Sequence, residues 1–287
     1  MRYAFVRDEA KTHAVEQLCD LMEVSRSGYY AWESRPECKL TQDHQRLIPK
    51  IQKLFTESRE TYGYRRITDG LKKQGENCGK HRTASLMRKL DLNPFIKRRF
   101  KITTNSNHDK PIYNNVLNRQ FNPSKMNQAW SSDITYIATD QGWLYLAVVM
   151  DLYSRTIVGW AMDKHMTESL VMNALAMALF RRKISAGLLL HSDRGSQYAS
   201  NAYQQLLKQH HIICSMSRKG NCWDNSPMES FFRSLKTESI YRQTFKTREQ
   251  AKLTVFDYIE VFYNRQRAHS TLHYLSPMNF ELAYANS

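Results

Sequence analysis

The chain has 287 residues, of which 41% are hydrophobic and 24% charged, and its formal net charge is +15. This length predicts roughly two domains, and no run approaches the ~18 apolar residues of a membrane span. The N-terminus contains acids early and lacks the apolar core of a signal peptide. We therefore expect a cytoplasmic protein without a membrane partner. The five cysteines have no C-x-x-C spacing, which predicts reduced thiols and no structural zinc site.

The positive charge is concentrated in one part of the chain. Residues 51–120 contain 16 Lys and Arg against 6 Asp and Glu, which is +10 of the total +15. A basic excess of this kind indicates a polyanionic partner. We predict that the partner is nucleic acid, with a merely solvated basic surface as the alternative.

The N-terminal third has helical periodicity. Residues 10–34 predict two short helices, the second capped by Ser25, which form a helix-turn-helix-sized unit or a hairpin that packs on a neighbour. Residues 44–57, 65–74 and 80–90 predict three more helices, the last with a basic face. We assign residues 1–40 to a short helical segment and 41–92 to a DNA-binding domain. Its third helix would enter the major groove and present Lys80, Arg82, Arg88 and Lys89; a helical bundle with a basic rim is the alternative.

A basic linker follows at residues 93–124. Asn93-Pro94 ends the preceding helix, and polar residues dominate the stretch after it. We predict that this linker tracks a phosphate backbone through Lys97, Arg98, Arg99 and Lys101. A solvated connection is the simpler reading.

The periodicity then changes to strands. Three strands, at 132–138, 143–150 and 155–162, precede a helix at 167–182. Further elements follow as a strand at 187–191, a helix at 201–211, a strand at 212–216, and helices at 227–241 and 248–264. This order predicts that residues 125–287 form an α/β domain, an RNase H-like mixed sheet with flanking helices.

Three acids occupy distinctive places in this pattern. Asp133 lies in the first strand, Asp193 ends the fourth, and Glu229 opens a helix, with 35 residues between Asp193 and Glu229. Two divalent ions ~3.5–4 Å apart stabilise the entering and leaving oxygens of phosphodiester chemistry, and Mg²⁺ prefers carboxylate oxygens. We predict that these acids bind two Mg²⁺ ions, for which Mn²⁺ substitutes.

Each acid also has a simpler interpretation. Asp133 suits a strand edge, and Asp193 suits a β-turn. Ser226-Pro-Met-Glu fits a capping box, in which the Glu229 side chain only accepts the backbone N–H of Ser226 and does no chemistry. Asp151 is interpreted as a turn residue that contributes to the site from behind these acids.

The helix of Glu229 has a basic face. Arg233 and Lys236 follow Glu229 at i+4 and i+7 and share its side of the helix. They either form an ordinary helix salt bridge or contact DNA beside the acids, and we favour DNA contact by both. Further candidates for DNA contact are Arg65, Arg66 and Arg82.

Several motifs together point to one known family. The helical region contains Ser25-Arg-Ser-Gly-Tyr-Tyr-Ala-Trp and Tyr62-Gly-Tyr-Arg-Arg-Ile, and the tail contains Tyr263-Asn-Arg-Gln-Arg-Ala-His-Ser-Thr-Leu. The core contains Ser132-Asp-Ile-Thr-Tyr-Ile, Asp151-Leu-Tyr-Ser-Arg, His191-Ser-Asp-Arg-Gly-Ser-Gln-Tyr and Asn225-Ser-Pro-Met-Glu-Ser-Phe-Phe-Arg-Ser-Leu-Lys. These motifs resemble bacterial insertion-sequence transposases of the Asp-Asp-Glu class, in particular the second-frame (OrfB) product of insertion sequence family three, which has a retroviral-integrase-like catalytic core.

The resemblance implies a DNA transposase with Asp133, Asp193 and Glu229 as its catalytic, metal-binding triad. It implies Mg²⁺-dependent release of a 3′-OH at the element end and direct attack of that 3′-OH on another phosphodiester. It also implies double-stranded DNA ends and target as substrates, a homo-oligomer on paired ends, and the upstream-frame (OrfA) protein or fusion as a partner. A non-catalytic DNA-binding regulator and a nuclease that only cleaves are the alternatives.

Overall fold

The computed structural model describes residues 1–36, 38–94 and 110–284. The chain divides into two compact units, residues 1–53 and 54–287. Within the described ranges, no helix is long and apolar enough to span a membrane. Four residues predicted to contact DNA lie outside the described part: Lys97, Arg98, Arg99 and Lys101.

The first unit is helical. It contains α1 (Arg2–Glu9), α2 (Val15–Leu21), α3 (Arg26–Glu33) and the start of α4 (Lys39–Glu57). Its core consists of Val6, Leu18, Cys19 and Tyr29. The two helices predicted in residues 10–34 are present, and Ser25 caps α3 by accepting the Gly28 N–H at 3.0 Å. Helix α1 was not predicted, because its apolar residues do not recur at a helical period.

The second unit begins with the end of α4, followed by α5 (Tyr64–Lys73) and α6 (Lys80–Lys89). Helix α5 buries Ile67 and Leu71, and α6 buries Leu86 and Met87. Gly75 adopts a φ of +79° just past α5, a left-handed conformation that glycine reaches without a Cβ penalty and that commonly ends helices.

A five-stranded mixed sheet forms the centre of the second unit. Its strands are β1 (Ala129–Thr139), β2 (Gly142–Asp151), β3 (Ile157–Asp163), β4 (Leu189–Ser192) and β5 (Ile213–Met216). Their order is β3-β2-β1-β4-β5, with β1, β2 and β3 antiparallel and with β4 parallel to both β1 and β5. The sheet confirms the predicted mixed α/β fold class.

Helices cover both faces of this sheet. Side chains alternate between the faces along a strand, so Val148 and Met150 of β2 join one cluster and Ala147 and Val149 join the other. The first face packs against α9 (Ser226–Glu238) and α10 (Arg248–Phe256), and the second against α7 (Glu168–Arg181) and α8 (Asn201–Gln209). Gly159 of β3 lets α7 approach, because a Cβ there would lie 2.2 Å from the Ala174 carbonyl oxygen.

The single helix predicted at 248–264 is wrong. Helix α10 ends at Phe256, and a π-helix continues over Asp257–Tyr263. The wider turn buries Tyr258, Phe262 and Tyr263, and such an interruption cannot be seen in a 3.6-residue apolar period. A further helix, α11 (Pro277–Tyr284), was not predicted.

Candidate active site

Asp133 and Asp193 are neighbours because of the β1–β4 register. Ser132 of β1 pairs with Ser192 of β4 in the parallel ladder, and each aspartate is the next residue along its chain. Parallel strands lie ~4.8 Å apart, so Asp133 and Asp193 lie side by side on neighbouring chain segments. Both aspartates are half-buried.

Glu229 reaches this point from α9. Asp133 pairs in register with Val148, and registered residues of an antiparallel pair share a face. Val148 packs in the same cluster as Met228 and Phe231 of α9. Helix α9 therefore covers the sheet face to which Asp133 belongs, and Glu229 is half-buried at its first turn.

The capping-box interpretation of Glu229 is wrong. Helix α9 begins at Ser226, so Asn225 is its N-cap residue, and no side chain caps it. A 3₁₀ turn over Cys222–Asn225 leads directly into the helix and moves the start one residue ahead of the expected Pro227. The glutamate is consequently not used to close the helix N-terminus.

The three acids interact electrostatically. Burial raises the pKa of Asp133 well above its usual range, and the negative charges of Asp193 and then Glu229 raise it further. The Ile134 N–H and the ammonium of Lys236 act in the opposite direction. Burial also raises the pKa of Glu229. The site therefore concentrates negative charge in a partly desolvated place, which disfavours ionisation of all three acids together.

The carboxyl groups are close without converging on one point. Asp133 accepts the Ile134 N–H at 2.8 Å, and Asp193 accepts the Gly195 N–H at 2.9 Å. Among the described residues, no three His, Cys, Asp or Glu side chains are grouped tightly enough to hold a metal ion.

Hydroxyl groups beside Asp133 secure the surrounding elements. Ser131 donates to Oδ1 of Asn225 at 2.7 Å, which ties the start of α9 to β1. Ser132 and Tyr198 share a hydrogen bond of 3.0 Å on the other face of the strand. All four residues are buried, so these bonds fix the distance between β1, α9 and the chain after Asp193.

A buried histidine holds the ends of β4 and β5 together. The Ser215 hydroxyl accepts the N–H groups of Val116 and Leu117 at 2.9 and 3.1 Å, so its own hydrogen is left for His191 Nδ1 at 2.8 Å. His191 Nε2 then carries the proton and donates to Ser217 at 3.1 Å. Burial lowers the pKa of His191 to about 4, so this histidine is neutral at pH 7 and has a positioning role.

Sequence reasoning missed a buried aspartate just before α9. Asp224 has no exposed surface and accepts hydrogen bonds from the side chains of Arg218, Arg119 and Asn115 at 2.7–2.9 Å. The Arg218 guanidinium holds the pKa of Asp224 well below its usual range. Trp223-Asp-Asn resembles an ordinary turn, and nothing local reveals a partner more than 100 positions away.

Asp151 does not contribute to the acidic site. It is the last residue of β2 and pairs with Trp130, whose side chain faces α7 and α8 rather than α9. Its carboxylate accepts the N–H groups of Asn127 and Tyr153, both at 2.9 Å, and burial raises its pKa to about 6. The turn-residue interpretation describes it fully.

The basic residues of α9 differ in exposure. Lys236 is half-buried, and its Nζ lies 4.9 Å from the centroid of the Tyr136 ring. Burial lowers the pKa of Lys236, while the charge of Asp133 opposes this shift. Arg233 is exposed. Lys236 therefore lies beside the acids, and Arg233 faces solvent on the same side of the helix.

On α6, Lys80, Arg88 and Lys89 are exposed and Arg82 is half-buried. Arg66 of α5, named above as a candidate for DNA contact, instead lies 3.6 Å from Glu238 of α9 and over the Tyr62 ring. The Glu238 carboxylate also accepts hydrogen bonds from the Arg267 guanidinium and from the Tyr258 hydroxyl, all at 2.7 Å. Arg66 therefore joins α5 to α9 within the second unit.

The chain is similar to known families and to known transposases. It matches the integrase core domain family over residues 123–222 and again over 229–283, and an HTH-like domain family over residues 42–100. It is 42% identical over 283 residues to transposase InsF for insertion sequence IS3A of Escherichia coli K12, covering 98% of both chains. It is 46% identical over 267 residues to an uncharacterized 31 kDa protein of insertion element IS600 of Shigella sonnei, covering 93% of this chain and 98% of that protein.

A solved structure of a simian T-cell lymphotropic virus intasome is also similar, with 16% identity, a TM-score of 0.47, and coverage of 80% of this chain and 73% of that chain. The two insertion-sequence proteins are far closer in sequence and match almost end to end. The chain therefore belongs to the IS3-family insertion-sequence transposases, with an integrase core domain that follows an HTH-like domain.

Proposed function

We propose that this chain catalyses metal-dependent cleavage of DNA at the ends of an insertion sequence and transfer of the freed strand to a target. Asp133, Asp193 and Glu229 are the proposed catalytic residues and the ligands of two Mg²⁺ ions, for which Mn²⁺ substitutes. The observation that supports the proposal is the Ser132–Ser192 register, because each aspartate is the next residue along its chain and α9 packs on the sheet face of Asp133.

The donor set suits this metal. Mg²⁺ takes hard oxygen ligands and is commonly held by one or two carboxylates with retained water, and the three acids supply only such oxygens. Burial and then the negative charges of Asp193 and Glu229 raise the pKa of Asp133, and a divalent cation would oppose this rise. When bound, the ions stabilise charge on the attacking and leaving oxygens of the phosphodiester.

The protein's own residues hold the substrate. Lys236 lies beside Asp133, and Arg233 faces solvent on the same helix, so both are proposed to contact phosphates next to the scissile bond. Helix α6 is proposed to enter the major groove of the element end. The basic groups proposed to bind DNA outside the core are Lys80, Arg82, Arg88, Lys89, Lys97, Arg98, Arg99 and Lys101.

The proposal includes an organisation and an assembly. Residues 1–40 form a helical segment, 41–92 bind DNA, 93–124 link, and 125–287 catalyse. We propose that the protein works in the bacterial cytoplasm as a homo-oligomer that pairs two element ends, with the upstream-frame protein or fusion as a further partner. A non-catalytic DNA-binding regulator is the competing function, favoured by the unconverged carboxyl groups.

The test uses purified protein, a labelled duplex of the element end, and Mg²⁺ or Mn²⁺. We expect metal-dependent cleavage and joining that Asp193→Asn abolishes while DNA affinity is retained. Asp140→Asn is the matched control, because Asp140 lies exposed in the β1–β2 turn and should leave the rate unchanged. DNA binding without metal-dependent chemistry, also when the upstream-frame protein is added, would support the regulator instead.

A further inference from the structure

The loop between β5 and α9 presents an exposed tryptophan shortly before the helix of Glu229. Trp223 is 69% exposed, and it lies six positions before Glu229 in the segment that leads into α9. Arg218 and Lys219 of the same loop are also exposed. The loop therefore combines a large aromatic surface with positive charge.

The backbone on either side of Trp223 is fixed. The next residue, Asp224, is fully buried and accepts the Arg218 backbone N–H at 2.9 Å in addition to its bonds to the Arg218 and Arg119 guanidinium groups. Arg119 also donates to the Asn221 side chain at 3.0 Å. Tryptophan normally packs inside a fold or an interface, but here the clamp on Asp224 directs its neighbour outward.

The clamp is continuous with the catalytic elements. Asn225 receives the Ser131 hydroxyl hydrogen, and Ser131 is two residues from Asp133. The Nδ2 atom of Asn225 is buried and has no acceptor among the described residues. The position of Trp223 is thus set relative to Asp133 and to the start of α9 by hydrogen bonds rather than by a free loop.

We propose that Trp223 stacks on an unpaired nucleobase at the end of the DNA held at the acidic site. Aromatic side chains stack on bases of any sequence, and neighbouring cations attract the phosphate backbone of DNA. Lys219, Arg218 and Arg119 provide that positive charge. Because the loop is already fixed, little ordering entropy is lost when the base binds. The inference rests on the proposed function, since it assumes a DNA end at this site.

The experiment measures DNA affinity in EDTA, where no strand chemistry occurs. Two duplexes share one paired sequence from an element end, and one of them carries a few unpaired nucleotides at its terminus. We expect wild-type protein to prefer the frayed duplex. Trp223→Ala should weaken binding to the frayed duplex by roughly fivefold to a hundredfold, the range for loss of one base–aromatic stack, and should leave blunt-duplex affinity unchanged. Trp223→Phe should keep most of the preference.

Phe180→Ala is the matched control, because Phe180 is 93% exposed on α7 and should not change either affinity. The inference is overturned if wild-type protein has no preference for the frayed duplex, if Trp223→Ala keeps that preference, or if Phe180→Ala loses it equally. A changed oligomeric state of Trp223→Ala with unchanged DNA affinity would assign the side chain to a protein contact and overturn the inference as well. A separate assay with Mg²⁺ distinguishes failure of the proposed function, because an inactive wild-type protein can still show the Trp223-dependent preference.

Discussion

Ser131 of β1 donates a hydrogen bond of 2.7 Å to Asn225 at the N-cap of α9, and this bond joins the strand of Asp133 to the helix of Glu229. Both partners are buried. The distance between the two acids therefore depends on a contact that neither acid makes. Catalytic groups must be held within a fraction of an ångström, and a misplacement of 1 Å can lower a rate about a hundredfold.

Removal of this hydroxyl should affect chemistry more than stability. We expect Ser131→Ala to lower the strand-cleavage rate about tenfold to a hundredfold and the free energy of unfolding by about 1 kcal/mol, the usual net value of one hydrogen bond. Single-turnover cleavage and urea unfolding measure the two effects. Ser124→Ala removes an exposed hydroxyl bonded to Gln128 and should change neither. If the cleavage rate of Ser131→Ala falls only as far as its smaller fraction of folded protein explains, the positioning role of Ser131 is contradicted.

Glu238 should contribute strongly to stability through its ion pair. It pairs with Arg267, whose side chain is only 5% exposed, and accepts from Tyr258. Removing one partner of a buried pair leaves the other charge uncompensated and costs about 3–5 kcal/mol. We therefore expect Glu238→Gln to lower the free energy of unfolding by about 3 kcal/mol. Glu249→Gln, which affects an exposed pair with Lys252, should cost less than about 1 kcal/mol.

Glu238 should also determine how the free energy of unfolding changes at acidic pH. Burial alone would raise the pKa of Glu238, but the charge and hydrogen bonds of Arg267 hold it below the ordinary 4.5. A depressed pKa means that the folded state binds the proton less readily than the unfolded state. The stabilisation is therefore complete above pH 4.5 and is lost as the pH falls through the folded-state pKa. The difference between wild type and Glu238→Gln in unfolding free energy should be constant from pH 6 to 8 and should shrink below pH 4.5; a difference that widens on acidification would contradict this assignment.

Helix α6 should act on DNA through charge. Arg88 and Lys89 are exposed in its last turn. Loss of one phosphate contact weakens binding uniformly across sequences and reduces the slope of log affinity against log salt by about 1. We expect this result for Arg88→Ala and Lys89→Ala in fluorescence anisotropy titrations at several salt concentrations. Lys252→Ala removes a cation paired with Glu249 on α10 and serves as the control. An unchanged slope for both α6 variants would remove this helix from the interface.

Local pattern was sufficient for the elements that carry the acids. Alternating side chains predicted β1, an apolar run predicted β2, and the turn at Asp151 marked the start of β3. Ser25 was predicted as a helix cap and is one, because capping depends only on residues within one turn. These features depend on only a few neighbouring residues, and the structure contains them.

The errors arose where a distant partner decides the structure. The capping box at Ser226 failed because the preceding 3₁₀ turn moves the helix start and the Asn225 side chain bonds Ser131. Arg66 looked free for DNA because Glu238 lies 172 positions later (238 minus 66). The Asp224 clamp and the π-helix were missed for the same reason, since each depends on packing that no short window contains.

The role of Glu229 is the least constrained part of the proposed centre, because its side chain approaches Asp133 from a helix and not from the sheet. The most direct test is single-turnover cleavage of element-end DNA in Mg²⁺ by Glu229→Gln, with Glu249→Gln as the control. We expect Glu229→Gln to bind DNA normally and to cleave about a hundredfold to a thousandfold more slowly, the scale of removing an essential electrostatic group, while Glu249→Gln cleaves at the wild-type rate. Cleavage by Glu229→Gln within tenfold of wild type would contradict a catalytic triad of Asp133, Asp193 and Glu229.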